Sequence, residues 1–456
     1  MKKIDFKAVA AFLMIVPLIV VLSSCSDDDY LNAIPENSTA LVSIDVPGLL
    51  EFSNAGNVQN VMSEVLGIDA TDDCGIDFTS RLYLFETIEG NIGLAAKLSD
   101  EDALGKCLDK SVKAGRCKPV SEYRGYNFSV INDSWVAGYS SNAIVVLGPA
   151  LPSAQAELRQ RIAKYLKQDE KHGIKTSPMF SRIDSIQGSV AFVCQAAALP
   201  DKFAGLFSLG APKDADASQV LLAAELDTSV DDLFIIRGET FSLNKRIDSA
   251  IRDSKNIFRP IENDFVANVA DSSAIVSFMN VDGKEFIRLL HSSRTFQALL
   301  AGMNMAVDMD NIIRGINGDF VITVPDFIAG KPSLQIGAEL GNKNFLEDVS
   351  YWKESCPKGT EIRSTGKDEF CYTGGDISFC FGVNVMRFYA GSSVDNARAM
   401  LSTSNAPVSS VVQNVIKGQR LVIVANLNSL IGSGSGMNGY FQKLLGNKRR
   451  IIYIMK

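Results

Sequence analysis

Residues 40–46 read ALVSIDV, and residues 274–280 repeat the pattern as AIVSFMN. In the first stretch alternate residues fall on opposite sides of a period-two pattern, with Ala40, Val42 and Ile44 on one side. Such alternation is typical of a half-buried β-strand. Since apolar residues at helical spacing follow, we predict that each stretch is a strand that leads into a helix.

The two stretches open two series of segments that follow one another in the same order. Each series predicts a hairpin, a helix, a second hairpin, a strand, a helix and two closing strands. In the first series Ser99 is expected to cap the first of these helices, and the second hairpin is predicted to turn at Asn132-Asp133. Matching positions such as Leu98 and Leu340 differ by 242. We therefore predict an α+β fold made of two tandem copies of a mostly antiparallel sheet with helices packed on it. The predicted copies are residues 34–235 and 262–456, joined by a helical linker at 236–261.

The start of the chain predicts a lipoprotein signal peptide at residues 1–24. Three lysines in the first seven residues precede the apolar run Ala8–Val21, which is shorter than the ~20 residues that a membrane-spanning helix needs. Residues 22–25, Leu-Ser-Ser-Cys, resemble the lipobox of bacterial lipoproteins. The resemblance implies cleavage before Cys25 and acylation of that cysteine. An ordinary secretory signal followed by a chance cysteine is the alternative.

Residues 25–33 are predicted to be an acidic tether. Ser26, Asp27, Asp28 and Asp29 resemble the surface-export signal of Bacteroidetes lipoproteins. A solvated charge run that serves only as a spacer is the alternative. With this tether, the chain after Cys25 resembles an uncharacterised Bacteroidetes lipoprotein family, catalogued as a domain of unknown function. The resemblance implies an outer-membrane protein at the cell surface, or alternatively on the periplasmic face, and transfers no catalytic residue.

The net charge limits the partners. It is −7 for the whole chain, and because residues 1–24 carry +2, the remainder carries −9. An acidic body without a basic stripe argues against nucleic acid as a partner. The predicted contact with the membrane is therefore made through the N-terminal lipid anchor.

No stretch carries a convincing catalytic or cofactor motif. The sequence GSGMNG at residues 434–439 matches a dinucleotide-binding pattern, but the chain ends before the acidic residue that the pattern requires. His172 and His291 have no cysteine, histidine or carboxylate at metal-ligand spacing. The acidic pairs at residues 72–73 and 231–232 are typical of surface charge. We predict no catalytic, cofactor-binding or metal-binding residue, and no cofactor.

Two cysteines are predicted to face each other across a hairpin. If Gly375-Asp376 is a two-residue turn, Cys371 and Cys380 are directly opposite, which permits a disulfide. Cys107 and Cys117 form a less favourable second pair. Buried free thiols are the alternative for each.

The leading functional hypothesis is a non-enzymatic, lipid-anchored surface protein that binds a glycan, a peptide or another envelope protein. The alternative is a carboxylate-based hydrolase with its site in the groove between the two copies. Two carboxylates with a raised pKa in a groove would favour the hydrolase. Trp135 or Trp352 lining it would favour glycan binding, although either tryptophan is equally compatible with a hydrophobic core. A purely structural envelope component is a third possibility.

Overall fold

The computed structural model describes residues 28–52, 74–199, 204–205, 207–227, 233–293, 296–297, 300, 307–328, 331–375, 377–426 and 450–456. The described residues form two compact units. Unit 1 comprises 28–47 and 74–184, and unit 2 comprises 48–52 and the described residues from Ser185 onward. The predicted signal peptide, Cys25, Ser26 and Asp27 lie outside the described residues. So do residues 434–439 and the acidic pairs at 72–73 and 231–232. No helix within the described ranges is long and apolar enough to cross a membrane.

Unit 1 is a sheet of seven described strands with helices against it. Its strands are β1 (Ala40–Ile44), β2 (Leu82–Glu86), β3 (Ile92–Lys97), β4 (Ser121–Tyr123), β5 (Tyr126–Ile131), β6 (Trp135–Tyr139) and β7 (Ala143–Gly148). Helices α2 (Glu101–Lys113), α3 (Gln155–Leu166) and α4 (Pro178–Asp184) belong to unit 1, whereas α1 (Val46–Phe52), which follows β1, belongs to unit 2 from Gly48 onward. Short 3₁₀ helices occupy Asp29–Ala33, Pro152–Ala154 and Ile174–Thr176. The strands pair antiparallel in the order β1-β2-β3-β7-β6-β5-β4.

Strand β1 is covered on both faces rather than on one. Leu41 and Ser43 are fully buried, while Ala40, Val42 and Ile44 on the other face are half-buried. Arg81 donates from Nη1 to Ser43 Oγ at 3.0 Å, and this bond allows the polar side chain to be buried. The alternation therefore predicted the strand correctly, but two-sided burial depends on what packs against it.

Unit 2 contains the remaining described strands. They are β8 (Val190–Gln195), β9 (Val220–Asp227), β10 (Leu233–Ser242), β11 (Phe258–Arg259), β12 (Ile275–Asp282), β13 (Ile316–Val324), β14 (Phe327–Ile328), β15 (Lys331–Pro332), β16 (Gln335–Leu340), β17 (Thr360–Gly366), β18 (Glu369–Gly374), β19 (Ile377–Asn384), β20 (Arg387–Gly391), β21 (Leu421–Asn426) and β22 (Arg450–Met455). The strands of its main sheet follow the order β17-β18-β19-β20-β16-β13-β12-β21-β22-β10-β9-β8, with β11 beside β12. Of these pairs only β10–β22 is parallel.

Helices cover both faces of the unit 2 sheet. They are α5 (Lys245–Lys255), α6 (Gly283–Ser292), α7 (Met309–Arg314), α8 (Val349–Glu354), α9 (Val394–Ala399) and α10 (Ser410–Ile416), with 3₁₀ helices at Ala196–Ala198, Ala217–Gln219, Val266–Asn268 and Asn344–Asp348. Met279 and Val281 of β12 pack into one core with residues of α6 and α7. Val276 and Phe278, on the opposite face of β12, pack into a second core with residues of α9 and α10. The α+β class and the mostly antiparallel pairing agree with the sequence prediction.

The strand neighbours of β2 and β13 follow the same order in the two halves of the chain. From β2 the order is β2-β3-β7-β6-β5-β4, and from β13 it is β13-β16-β20-β19-β18-β17. The division into units falls between Asp184 and Ser185, whereas the sequence predicted the end of the first copy at residue 235.

Three local predictions need correction. The predicted helical linker at 236–261 is helical only at α5, because the apolar run that begins at Leu233 forms strand β10 between β9 and β22. Residues 29–33 of the predicted tether form a 3₁₀ helix that buries Tyr30 and Leu31, since their apolar surface packs into unit 1. Asp100, not the preceding serine, caps α2 by accepting from Ala103 N–H at 2.9 Å.

Candidate functional site

A polar cavity of about 660 Å³ opens in unit 2 at the end of strands β11, β12, β13 and β16. Strand alternation positions its walls: Arg259, Asn280, Asn317 and Glu339 line the cavity, while the residues before or after them face a hydrophobic core. The loop after β11, beginning at Pro260, forms a further wall.

Asp319 fixes this loop in place. Its buried carboxylate, 3% exposed, accepts hydrogen bonds from the backbone N–H of Glu262 (3.0 and 3.1 Å) and of Asp264 (3.0 Å), and from Asn280 Nδ2 (2.9 Å). Asn263, between the two backbone donors, has φ +79°, a left-handed conformation that asparagine tolerates better than most residues. Asp319 is therefore a satisfied carboxylate whose role is to shape the cavity wall.

Glu339 has a different environment. Its Oε2 accepts the backbone N–H of Asp319 at 3.1 Å, and its carboxyl group is hydrogen-bonded to that of Asp264. Burial, followed by the hydrogen bond to Asp264 and the negative charges of Asp264 and Asp319, raises the pKa of Glu339 to about 7. Glu339 is thus partly protonated near neutral pH.

Gly318 makes room for that carboxyl group. Its φ is +152°, and a Cβ atom placed on it would lie 2.2 Å from Glu339 Oε2 and 2.8 Å from Glu339 Cβ. Only a residue without a side chain fits this position beside Glu339.

Arg259 is held rigidly but has no ion pair. Its Nε donates to Asn280 Oδ1 (2.9 Å), Nη1 to Asn317 Oδ1 (2.9 Å) and Nη2 to the carbonyl oxygen of Val281 (2.7 Å). All three acceptors are neutral, and no carboxylate within the described part of the chain forms a salt bridge with this guanidinium. Because a guanidinium carries five N–H donors, one on each terminal nitrogen is left for another partner.

These groups together can donate, accept and carry charge at one polar surface. The guanidinium suits an anion, the side-chain amide of Asn317 suits a hydroxyl or carbonyl group, and Glu339 can give or take a proton. No group of three or more histidine, cysteine, aspartate or glutamate side chains is arranged to hold a metal ion in the ranges that the structure describes.

The opposite face of the same strands borders an apolar cavity of about 210 Å³. Its walls include Met279, Phe286, Ile312 and Phe320, all of which belong to the hydrophobic core of unit 2. One sheet therefore has the polar cavity at the end of one face and the apolar cavity on the other, because successive side chains of a strand point to opposite faces.

The residues predicted as sites from the sequence lie elsewhere. Cys371 and Cys380 are register partners in β18 and β19 and are joined by a disulfide. Cys107 and Cys117 are buried and are not joined in a disulfide. Of the predicted export signal, Asp28 forms an ion pair with Lys175 at 3.6 Å, and Asp29 begins the first 3₁₀ helix.

The histidines and tryptophans do not line the polar cavity. His172 is paired with Asp169 and His291 with Asp310. Trp352 is buried against Phe381 in the core of unit 2, and Trp135 is half-buried on β6. Trp352 is therefore a core residue, which the sequence analysis had allowed for both tryptophans.

Sequence reasoning missed every residue of the polar cavity. A usable signal was present, because Asn280 follows Phe278 and Met279 within β12 and Glu339 interrupts the apolar run of β16. A polar residue in such a run is either paired or functional. The sequence separation of 80 between Arg259 and Glu339 hid their proximity.

Comparison with known proteins gives a family but no activity. No curated protein matches the chain. Three solved structures of TP0453 show weak similarity. Crystal form I is 9% identical over 44% of this chain and 74% of that chain, with a TM-score of 0.27. Crystal form IV is 10% identical over 44% of this chain and 76% of that chain, with a TM-score of 0.28. Crystal form III is 8% identical over 82% of this chain and 96% of that chain, with a TM-score of 0.25. These TM-scores support no argument about fold or function.

One family profile matches residues 61–406, which include Arg259, Asp319 and Glu339. The match covers more than half of the chain, and its description is a domain of unknown function. The chain belongs to the family DUF4836.

Proposed function

We propose that this chain is a lipid-anchored binding protein of the cell envelope whose ligand site is the polar cavity of unit 2. The observation that carries the proposal is Arg259, which neighbouring oxygens hold in place while its charge lacks a partner. A donor that is already oriented loses little entropy when a ligand binds, which favours recognition of a polar small molecule or of the end of a glycan or peptide.

The envelope location rests on the N-terminal sequence. The lipobox-like residues before Cys25 and the acidic Ser26–Asp29 support a lipid anchor at the outer membrane, exposed at the cell surface. Protease shaving of intact cells tests it: we expect loss of the protein without lysis. Protection in intact cells, with cleavage after lysis, would move the proposal to the periplasmic face.

The two halves of the chain descend, in this proposal, from one duplicated unit. The shared neighbour order that starts at β2 and at β13 supports this origin, as does the near-constant offset of the matching strands. Asn280 and Glu339 correspond to Val46 and Lys97 in the first copy. The binding site is then a specialisation of the second copy.

A binding array tests the proposed function. Full-length protein in a mild detergent is applied to immobilised glycans and peptides. Lys417 is exposed at the mouth of the cavity, so Lys417→Trp should obstruct entry and remove binding. Lys358→Trp, at an exposed turn, is the matched control and should bind like the unmodified chain. Equal binding by both variants, or no retained ligand with the unmodified chain, would contradict the proposal.

The hydrolase remains the second candidate because of Glu339. A carboxyl group with a pKa of about 7 beside a second carboxyl group can act as a general acid. Release of reducing ends from a glycan panel, abolished by Glu339→Gln, would support it. If the glycan binds without being hydrolysed, and Glu339→Gln still binds it, the hydrolase is refuted and only the binding function stands.

A further inference from the structure

The cavity contains a charge imbalance that indicates the kind of ligand. We propose that it takes a monoanionic sugar acid whose carboxylate is bound by Arg259. This inference rests on the proposed function and specifies its ligand class.

The guanidinium is oriented for a planar anion. Its Nε is occupied by Asn280, and one N–H on each terminal nitrogen is taken by Asn317 and by the carbonyl oxygen of Val281. These bonds hold the plane of the guanidinium, and the remaining donor on each terminal nitrogen has no partner within the described residues. Two N–H groups from one guanidinium match the two oxygens of a carboxylate.

Asn280 also explains why Arg259 is not already neutralised. Its carboxamide lies between the two charges, accepting from Arg259 with Oδ1 and donating to Asp319 with Nδ2 at 2.9 Å. Asp319 satisfies its remaining oxygen sites with backbone N–H groups. The guanidinium of Arg259 therefore forms no ion pair with Asp319, because the side-chain amide of Asn280 lies between the two groups.

The surrounding charges favour one negative charge over two. The ionisable side chains that line the cavity are Arg259, Lys417, Glu262 and Glu339. These are two cations and two carboxyl groups, and a proton on Glu339 leaves one net positive charge on the lining. A monoanion neutralises that charge, whereas a dianion would leave one negative charge in excess.

The rest of the lining suits hydroxyl groups on the ligand. The carboxamide of Asn317 accepts from Arg259 with its oxygen, so its Nδ2 can donate to a ligand. Glu339 can donate or accept beside it. Among the described residues the cavity is lined by Pro260 and Ile261 but by no aromatic ring, so a hydroxylated ring with one carboxylate fits better than a flat aromatic acid.

Calorimetry with three related sugars tests the inference. Full-length protein in mild detergent is titrated at pH 6 with glucuronate (a monoanion), glucose (neutral) and glucarate (a dicarboxylate that is a dianion at this pH). We expect glucuronate to bind at least about tenfold more tightly than the other two, the effect of one charge-assisted bidentate contact. Its affinity should fall between pH 6 and pH 8.5, as Glu339 loses its proton.

Variants separate charge recognition from folding. Arg259→Gln should weaken glucuronate binding at least about tenfold, and Arg259→Lys should give an intermediate loss, because a lysine keeps the charge without the fork. Arg246→Gln, at an exposed position of α5 paired with Asp214, is the control and should bind normally. Lys417→Gln removes an exposed cation whose side chain forms no hydrogen bond or ion pair with the described residues, and should weaken binding several-fold without changing the melting temperature.

The outcomes distinguish this inference from the proposed function. Equal affinity for glucose and glucuronate, or normal glucuronate binding by Arg259→Gln, would overturn the sugar-acid assignment. Absence of glucuronate binding at millimolar concentration would also overturn it. If the array still retains a neutral ligand in these cases, the binding function survives, whereas an empty array refutes both.

Discussion

Glu339 and Glu369 lie on strands of the same sheet, yet their carboxyl groups behave in opposite ways. Glu369 is the more buried residue, only 4% exposed. Arg398 binds it through Nε (2.9 Å) and Nη2 (2.8 Å), and Tyr389 and Thr365 donate at 2.9 and 2.7 Å. The hydrogen bonds from Arg398 outweigh burial and lower the pKa of Glu369 to about 2.

Glu339 is only half-buried, and its pKa is raised to about 7. Its hydrogen-bond partners in the described part of the chain are a backbone N–H and a second carboxyl group, so burial raises its pKa without a cationic hydrogen-bond partner to oppose it. Depth of burial alone therefore does not set the direction of the shift; the identity of the partner does.

Asp77 in unit 1 follows the pattern of Glu369. Hydrogen bonds from Thr79, with further help from Ser80 and Lys97, hold the pKa of Asp77 well below its ordinary value. The neighbours of Glu369 and Asp77 stabilise the charged carboxylate, whereas those of Glu339 do not. This contrast supports a role for Glu339 in binding.

The largest expected effect comes from breaking the Glu369 pair. Glu369→Gln leaves Arg398 without its anion and should lower the free energy of unfolding at pH 7 by about 2 kcal/mol, with Arg398 half-exposed and so partly screened. Glu361→Gln breaks an exposed ion pair with Arg363 within β17, the strand next to that of Glu369. This substitution should change the free energy of unfolding by less than about 0.5 kcal/mol. Urea unfolding of both variants measures the difference. Similar losses in the two would show that burial and the bidentate contact add nothing.

The second effect is the acid dependence of Glu369. Its folded pKa of about 2 lies below an unfolded value near 4.5, so its contribution is complete above about pH 4.5 and is lost as the pH falls towards 2. The difference in unfolding free energy between the unmodified chain and Glu369→Gln should therefore shrink by about 1 kcal/mol or more between pH 5 and pH 3. A difference that stays constant over this window would refute the lowered pKa.

The smallest effect has the opposite sign and belongs to Glu339. Its folded pKa of about 7 lies above the unfolded value near 4.5, so its contribution is present below about pH 4.5 and is lost as the pH rises through 7. Glu339→Gln, which keeps the carboxyl group's shape without its charge, should match the unmodified chain at pH 5. At pH 8 it should be more stable by about 1 kcal/mol, allowing for solvent screening. Thermal unfolding at both pH values measures this, and a variant that is less stable at pH 8 would contradict it.

Local sequence signals identified the hairpins well. Strands β5 and β6 lie where alternation and the turn at Asn132-Asp133 predicted them, since Asn132 and Asp133 adopt the positive φ that a tight turn needs. The pairing of Cys371 with Cys380 follows from the same reasoning. Signals of this kind act over a few residues, and no distant partner needs to be known.

Features that depend on distant partners were not predicted. The sequence of β10 shows little alternation of polar and apolar residues. This segment forms a strand because it pairs with β9 on one side and with β22, more than 200 residues away in sequence, on the other. Ser99 was expected to cap α2 but instead donates to the carbonyl oxygen of Gly75, which leaves the cap to Asp100. In both cases a contact outside the local segment determined the outcome.

The sequence by itself determined the α+β class, the hairpin order and the expected N-terminal anchor, because periodicity, turn residues and a leader are properties of short segments. Only the tertiary structure decided the site. Arg259, Asn280, Asp319 and Glu339 come from four strands, and each is an ordinary polar residue in its own segment. Their chemistry arises when the sheet brings an unpaired guanidinium beside a carboxyl pair, because electrostatic interactions depend on distance in space and on burial rather than on position along the chain.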